Sequence, residues 1–216
     1  MAASFGIQYD FTVEGVTGFV LTGGRSSRMG SDKALLAWDG ETLIERTLAV
    51  VRQACSAVYV CGARELYGRF GDVIEDERPG RGPLSGIQAA LRTTGTDLNL
   101  IVSVDLPLMT SAFLSWLLQQ ARDGEQRVTV PEAQGRLQPL CAVYHREVLG
   151  IVDDALAAGD WKVTRLFART ATRIIADSEL EAAGFDPSIF NNVNTPEDYN
   201  SLLHSASLGT GRSTNV

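Results

Sequence analysis

The sequence predicts a three-layer α/β/α domain built on a mainly parallel sheet. Short apolar runs alternate with segments of helical periodicity along most of the chain. The runs are apolar almost throughout, as expected of strands that are covered on both faces. The 216 residues, 44% of them hydrophobic and 21% charged, also suffice for one full core.

Seven segments are predicted strands because they are apolar or β-branched and are bounded by turn residues. They are 16–21, 57–61, 72–75, 98–104, 127–131, 141–144 and 172–176. Six segments have apolar residues at helical spacing and are predicted helices, namely 42–54, 84–91, 111–120, 147–158, 162–169 and 195–204. Thr110 or Ser111 can cap the third helix, and Thr195 followed by Pro196 begins the last.

Residues 16–204 are predicted to form one domain, with no internal linker or repeat. We interpret 1–15 as a flexible extension; it lacks the basic start and apolar segment of a signal peptide. The tail 205–216 is small and polar and is predicted to be disordered. No apolar run reaches the roughly 18 residues of a membrane span, so none is expected. With reduced cysteines, a cytoplasmic location is expected.

The charge balance argues against two classes of partner. The formal net charge is −7, from 19 basic and 26 acidic residues, and it repels both nucleic acid and anionic lipid. An anionic substrate therefore needs a local cluster of donors. Cys55, Cys61 and Cys141 are odd in number and widely spaced, so we expect buried, reduced thiols instead of disulfides or a zinc site.

The loop after the first strand concentrates cations in an acidic chain. Residues 21–33 read LTGGRSSRMGSDK and hold three cations, including Arg28 and Lys33. Gly23 and Gly24 allow positive φ and leave backbone N–H groups open to a phosphate. Neither the Walker A pattern nor G-x-G-x-x-G fits. Donors and cations grouped after a strand indicate a triphosphate site.

Two other strand ends carry candidate site residues. Asp105 follows the apolar strand 98–104, where a lone carboxylate needs a partner such as magnesium shared with phosphate oxygens; a turn or cap role is the alternative. The segment 81–86 (RGPLSG) follows the strand 72–75 and places Ser85 and the first helical amides at a helix start. This second motif is weak by itself.

Together these motifs resemble those of the molybdenum cofactor guanylyltransferase family, the MobA-like nucleotidyltransferases. The family loop reads roughly LAGGxSxRMGxDK, with Thr22 as this chain's departure from the usual alanine. The family has D-x-P at Asp105, GPLAG at 82–86 and NVNTPE at 192–197. The resemblance covers roughly 18–203 and implies a Rossmann-like nucleotidyltransferase fold.

The resemblance implies transfer of GMP from GTP to the terminal phosphate of molybdopterin-bound molybdenum, with release of pyrophosphate. It implies catalytic roles for Lys33, Asp105 and Arg28, with Mg²⁺ bound by Asp105. The implied nucleotide-binding residues are Leu21, Thr22, Gly23, Gly24, Lys33, Asp76, Gly82, Pro83, Leu84 and Asp105. Cys61 stands where the family has asparagine, so the resemblance does not assign that asparagine's contact with the base or ribose to a residue of this chain.

Candidate residues for the acceptor lie farther along the chain. Gln138 and Pro139 precede a strand, and Arg165 lies near a helix start, where its cation could meet the acceptor's phosphate. A purely structural role is the alternative for these three residues. Asn192 and Asn194 are implied acceptor contacts through the family's N-V-N motif.

Two other functions remain open. A nucleotidyltransferase using another NTP or acceptor, such as the cytidylyl branch, a phospholactate or a sugar phosphate, would use the same loop; Gly23 and the asparagine pair favour the guanylyl branch. A non-catalytic nucleotide-binding protein would have lost a side chain that binds the metal or the phosphate, whereas Lys33 and Asp105 are both present. The expected partners are GTP and the molybdopterin cofactor, without nucleic acid or membrane. Transient contact with cofactor-biosynthesis or molybdoenzyme proteins is also expected.

Overall fold

The computed structural model describes residues 13–23, 32–76, 81–193, 195, 198 and 199. Its strands are β1 (Val13–Leu21), β2 (Ala37–Trp38), β3 (Glu41–Thr42), β4 (Cys55–Cys61), β5 (Val73–Ile74), β6 (Leu98–Ser103), β7 (Val128–Ala133), β8 (Arg136–Leu137), β9 (Cys141–His145) and β10 (Thr172–Ile175). Its α-helices are α1 (Leu43–Ala54), α2 (Arg64–Tyr67), α3 (Pro83–Thr93), α4 (Ser111–Arg122), α5 (Leu149–Ala157) and α6 (Asp177–Ala182). Short 3₁₀ helices span Lys33–Leu35, Arg146–Val148, Val163–Ala168 and Pro187–Phe190.

The central sheet has the strand order β10-β7-β9-β6-β1-β4-β5, with β8 paired to β7. β1 pairs in parallel with β4 and β6, and the pairs β4–β5 and β10–β7 are also parallel. Strand β9 runs antiparallel to β6 and to β7. The predicted mainly parallel sheet is confirmed, with β9 as the reversed strand.

The reversal of β9 follows from the short connection before it. Parallel neighbours need a crossover of a dozen or more residues, usually a helix. Only residues 134–140 separate β7 from β9, and they contain β8 and turns instead of a helix. The alternation of strand and helix is therefore interrupted here, and the chain returns in the opposite direction.

Helices cover both faces of the sheet. The buried residues of α1 and α4 share one core cluster, and those of α3 and α5 share a second on the other face. Neighbouring residues of β1 divide between them: Val20 belongs to the first cluster, and Phe19 and Leu21 belong to the second. Alternate strand residues point to opposite faces, so the sheet forms the middle of the predicted three layers.

Two predicted helices have a different form in the structure. The segment predicted as 147–158 is divided into a 3₁₀ turn, Arg146–Val148, and α5. The segment predicted as 162–169 is the 3₁₀ helix Val163–Ala168, which buries Val163 and Leu166. These two side chains are three residues apart, the spacing that a 3₁₀ helix places on one side.

The two ends of the chain are described only in part. β1 begins at Val13, before the predicted start at Val16. Residues 1–12 and the predicted tail 205–216 lie outside the described residues, as does most of the predicted last helix. The Oγ1 atom of Thr195 accepts a hydrogen bond from the Asp198 backbone N–H at 3.1 Å, so its predicted capping role is confirmed. Among the described helices, none combines the length and apolar character that crossing a membrane requires.

We expect the three thiols to react slowly in the native protein. Cys55, Cys61 and Cys141 are free and buried, as predicted. Burial raises the pKa of the Cys55 and Cys61 thiols to about 12 and also raises the pKa of Cys141. Because the thiolate is the nucleophile, a disulfide reagent at pH 8 should modify the unfolded protein at least tenfold faster than the native protein. Rapid labelling of native protein would contradict this burial.

Candidate functional site

The candidate site lies at one edge of the sheet. The carboxyl ends of the parallel strands β1, β4, β5 and β6 meet there, followed by Thr22, Gly62, Asp76 and Asp105. Because β9 is antiparallel, its first residue, Cys141, pairs with Val102 near the same edge. Ligands of open α/β sheets bind at this edge, where loops from several strands converge.

Lys33 and Asp105 meet at this edge although they are 72 residues apart in the chain. The Nζ atom of Lys33 donates to Oδ2 of Asp105 at 3.4 Å, and the side chains are 15% and 18% exposed. The backbone N–H of Val104 donates to the carbonyl of Leu21 at 3.1 Å. The chain therefore leaves β1 and β6 side by side, which brings the predicted phosphate lysine to the predicted metal ligand.

The turn that carries Lys33 is fixed by Asp32. One carboxylate oxygen of Asp32 accepts the backbone N–H of Ala34 at 3.0 Å. The other accepts the hydroxyl of Tyr67 at 2.6 Å. Burial, followed by the hydrogen bond to Asp32, raises the pKa of Tyr67 to about 12, so the hydroxyl keeps its proton at neutral pH. No local motif marks Tyr67 in the sequence, because its contact with Asp32 joins residues 35 positions apart.

Gly62 follows β4 and packs closely against Thr22 and Tyr67. A Cβ atom on Gly62 would lie 2.4 Å from Oγ1 of Thr22 and 2.7 Å from the Tyr67 ring. The Thr22 hydroxyl donates to the Cys61 carbonyl at 3.0 Å. The threonine that departs from the family's usual alanine thus joins the end of β1 to the end of β4. Any side chain at residue 62 would displace it or Tyr67.

Other residues implied to bind a nucleotide follow β1 and β5 or lie at the start of α3. Gly23 is exposed and has a φ of 88°, which confirms the predicted positive φ. Gly82 caps α3 and Pro83 is its first residue. Asp76 lies beside the first turn, where a Cβ on Gly86 would be 3.8 Å from its Oδ1 atom. Burial raises the pKa of Asp76.

Two implied nucleotide contacts, Leu21 and Leu84, belong to the core. Both residues are buried, 5% and 0% exposed, and their side chains pack in the cluster beneath α3. A nucleotide contact through either residue therefore stays a prediction. Ser85 is also buried, and its hydroxyl has no hydrogen-bond partner among the described groups.

A cleft of about 470 Å³ opens beside Asp105. The predicted acceptor residues Gln138, Pro139 and Asn192 line it. The backbone N–H of Gln138 donates to the Pro131 carbonyl at 2.8 Å, and the Tyr144 hydroxyl donates to the Pro139 carbonyl at 2.8 Å. The cleft therefore joins Asp105 to the segment between β7 and β9.

The asparagine-rich segment is tied directly to Asp105. The backbone N–H of Val193 donates to the carbonyl of Asp105 at 2.9 Å. This bond places Asn192 at the cleft wall beside the carboxylate. The predicted site residues Gly24, Arg28 and Asn194 lie outside the described residues.

Arg165 is not part of this cleft wall as the structure describes it. Its Nη1 atom lies 3.0 Å from Oδ1 of Asp160, and its side chain is 66% exposed. Arg136, on the short strand β8, lines the cleft instead. No sequence pattern predicts Arg136 at this site, because β8 has only two residues, too few for a periodic pattern.

The chain is similar to known nucleotidyltransferases. The family model described as MobA-like NTP transferase domain matches residues 18–174. A relative in Pelotomaculum thermopropionicum, named a probable molybdenum cofactor guanylyltransferase, is 35% identical over 184 residues, which are 84% of this chain and 89% of the relative.

Two solved structures share the fold at identities too low to show more than the fold. The molybdopterin-guanine dinucleotide biosynthesis protein A of Archaeoglobus fulgidus matches with a TM-score of 0.79 and 23% identity, over 89% of this chain and 99% of that one. A Mycobacterium tuberculosis protein, solved in complex with manganese, matches with a TM-score of 0.61 and 22% identity, over 88% of this chain and 98% of that one.

Removing the Tyr67 hydroxyl should loosen the Lys33 turn with little effect on the core. We expect Tyr67→Phe to lower stability by about 1 kcal/mol, through loss of one hydrogen bond, and to weaken nucleoside triphosphate binding several-fold. The measurements are the melting temperature and the nucleotide dissociation constant. Tyr59→Phe is the control, because the Tyr59 ring stacks on Phe19 away from this turn. Wild-type nucleotide binding by Tyr67→Phe would show that the Lys33 turn does not need this contact.

Proposed function

Since the chain belongs to the MobA-like NTP transferase family, we propose that it acts as a molybdenum cofactor guanylyltransferase. It transfers GMP from GTP to the terminal phosphate of the molybdopterin-bound molybdenum cofactor and releases pyrophosphate. The observation that carries the proposal is the Lys33–Asp105 pair at the sheet edge, beside a cleft with room for an acceptor. The choice of GTP and of this acceptor is supported by the named relative.

The proposed reaction exchanges one phosphorus–oxygen bond for another. An oxygen of the acceptor's phosphate attacks the α-phosphorus of GTP, the bond from that phosphorus to the bridging oxygen breaks, and pyrophosphate leaves with the electron pair. A phosphate monoester is largely ionised near neutral pH, so no strong general base is required. The position of His145 is consistent with this mechanism, because His145 pairs with Leu98, at the opposite end of β6 from Asp105.

Lys33 and the loop before it hold the triphosphate in this proposal. The lysine ammonium is a compact positive charge with three donors. Because its side chain is only 15% exposed, its attraction for phosphate oxygens is screened less than it would be in open water. It therefore stabilises the charge that develops on the leaving pyrophosphate. Gly23, with Gly24 and Arg28 from the rest of the loop, supplies further donors.

Asp105 is the proposed ligand of Mg²⁺. Magnesium is commonly held by one or two carboxylates together with substrate phosphates and water. In the described parts of the chain, no three His, Cys, Asp or Glu side chains are grouped to hold a metal alone. The single carboxylate of Asp105, which lies 3.4 Å from the Lys33 ammonium, fits an ion that binds together with GTP. When bound, the ion would act as a Lewis acid at the phosphates.

The acceptor occupies the cleft on the other side of Asp105 in this proposal. Gln138 and Asn192 line that cleft and offer side-chain amides to polar groups of the acceptor, and Pro139 contributes an apolar surface. Asn194 is proposed as a further contact. The same proposal places the reaction in the cytoplasm, with transient contacts to cofactor-biosynthesis proteins or molybdoenzymes.

Product analysis with four nucleotides tests the proposed function. The full chain is incubated with molybdenum-loaded molybdopterin, Mg²⁺ and GTP, CTP, ATP or UTP in turn, and dinucleotide and pyrophosphate are measured. We expect both products with GTP, at a rate at least tenfold above the other three nucleotides. Preferential use of CTP would identify the cytidylyl branch instead. Absence of dinucleotide with all four would contradict the proposal.

Asp105→Asn separates a metal ligand from a turn-forming residue. The amide keeps the shape of the side chain but loses the charge that would hold Mg²⁺. We expect turnover with GTP to fall by a factor on the order of 10²–10³, with partial recovery at high Mg²⁺ and a melting temperature within a few degrees of wild type. Asp97→Asn is the control, because the Asp97 side chain is 72% exposed and the residue precedes the opposite end of β6. Since asparagine also favours turns and caps, normal turnover would mean that Asp105 only shapes the backbone.

A further inference from the structure

A rigid hairpin forms one wall of the cleft. Strands β7 and β8 are joined by the two residues Gln134 and Gly135, with φ of 54° and 70°. Positive φ at both central residues is the geometry of the tightest hairpin turns. Positive φ is unfavourable for a residue that has a side chain. Contacts with the surrounding residues must therefore hold Gln134 in this conformation.

Two contacts hold the tip of the hairpin. The backbone N–H of Gln134 donates to Oδ1 of Asp177 at 3.1 Å. Its side-chain amide donates to Oδ1 of Asn191 at 3.2 Å. Asn191 lies two residues before Val193, whose backbone N–H binds the carbonyl of Asp105. The hairpin is thus connected to Asp105 through the asparagine-rich segment, and its position is set before any ligand arrives.

Arg136 follows this turn and lines the cleft beside Asp105. The other charged side chains that line the described cleft are Asp105 and Asp198, so Arg136 is the cation among them. No carboxylate of the described residues forms an ion pair with its guanidinium. In a chain with a net charge of −7, a cation that forms no ion pair with a carboxylate of the described residues offers a local binding site for a phosphate.

The strand order assigns that phosphate to the acceptor and not to the nucleotide. Gly23 and Lys33 follow β1, which lies on one side of β6 and its Asp105. Arg136 belongs to the β7–β8 hairpin, and β7 lies on the other side of β6, separated from it by β9. A phosphate held between Arg136 and Asp105 therefore lies across the carboxylate from Gly23 and Lys33.

We infer that Arg136 binds the terminal phosphate of the acceptor and turns it toward the nucleotide. A guanidinium can hold two phosphate oxygens at once, which fixes orientation as well as position. This inference rests on the proposed function and adds a specificity-determining residue to it. It also replaces Arg165, whose guanidinium lies against Asp160, as the acceptor's cation.

The test compares Arg136→Gln, Arg136→Lys and the control Arg165→Gln in the full chain. For Arg136→Gln we expect the KM for molybdenum-loaded molybdopterin to rise about 10- to 100-fold, from the loss of charge-assisted hydrogen bonds. The KM for GTP should stay within twofold of wild type. The melting temperature should stay within two degrees of wild type. Arg136→Lys should recover part of the loss, and Arg165→Gln should behave as wild type.

A binding measurement keeps this inference separate from the proposed function. Inorganic phosphate is titrated against each variant while a non-hydrolysable GTP analogue fills the nucleotide site, and the thermal shift is recorded. Phosphate should stabilise wild type and Arg165→Gln but not Arg136→Gln. Equal stabilisation of wild type and Arg136→Gln, or a rise in the KM for GTP alone, overturns the inference. If phosphate binding depends on Arg136 but wild type forms no dinucleotide, the anion site stands and the proposed function fails.

Discussion

The site depends on a lysine ammonium and an aspartate carboxylate held 3.4 Å apart at the edge of an apolar sheet. Either charge alone would be costly to withdraw from water, whereas the pair offsets part of that cost. Lys33 and Asp105 meet because β1 and β6 are parallel neighbours, so the segments that follow them leave the sheet side by side. In the proposed function, this pair separates the residues that bind the triphosphate from the cleft that binds the acceptor.

Contacts between distant parts of the chain hold this pair in place before any substrate binds. Tyr67 anchors Asp32, the residue before Lys33, and the Val193 backbone anchors the residue whose carboxylate completes the pair. A bond of this kind typically contributes on the order of 1 kcal/mol to stability, and somewhat more where the acceptor is charged. Their larger effect is to fix the backbone around the charges, since a site that needs no reorganisation stabilises developing charge more effectively.

The reversed strand β9 explains why the two proposed substrate regions differ in construction. The parallel strands β5, β4, β1 and β6 are followed by segments that carry glycines and a lysine, which we propose bind the triphosphate. On the other side of β6 in the sheet, the short β7–β8 hairpin supplies a cleft wall with an arginine instead. A longer connection with a helix between β7 and β9 would have allowed parallel strands and removed the hairpin that carries Arg136.

The sequence by itself determined the kinds of element and indicated Asp105 and the glycine-rich, cationic loop as candidate site residues, because periodicity, glycines and clustered cations are local properties of the chain. It also indicated the capping role of Thr195 and the burial of the cysteines. Only the tertiary structure decided the direction of β9, the contact of Tyr67 with Asp32, and the choice of Arg136 over Arg165 at the cleft. These depend on which distant segments pack together, and no short pattern encodes that because the deciding contacts join residues tens of positions apart.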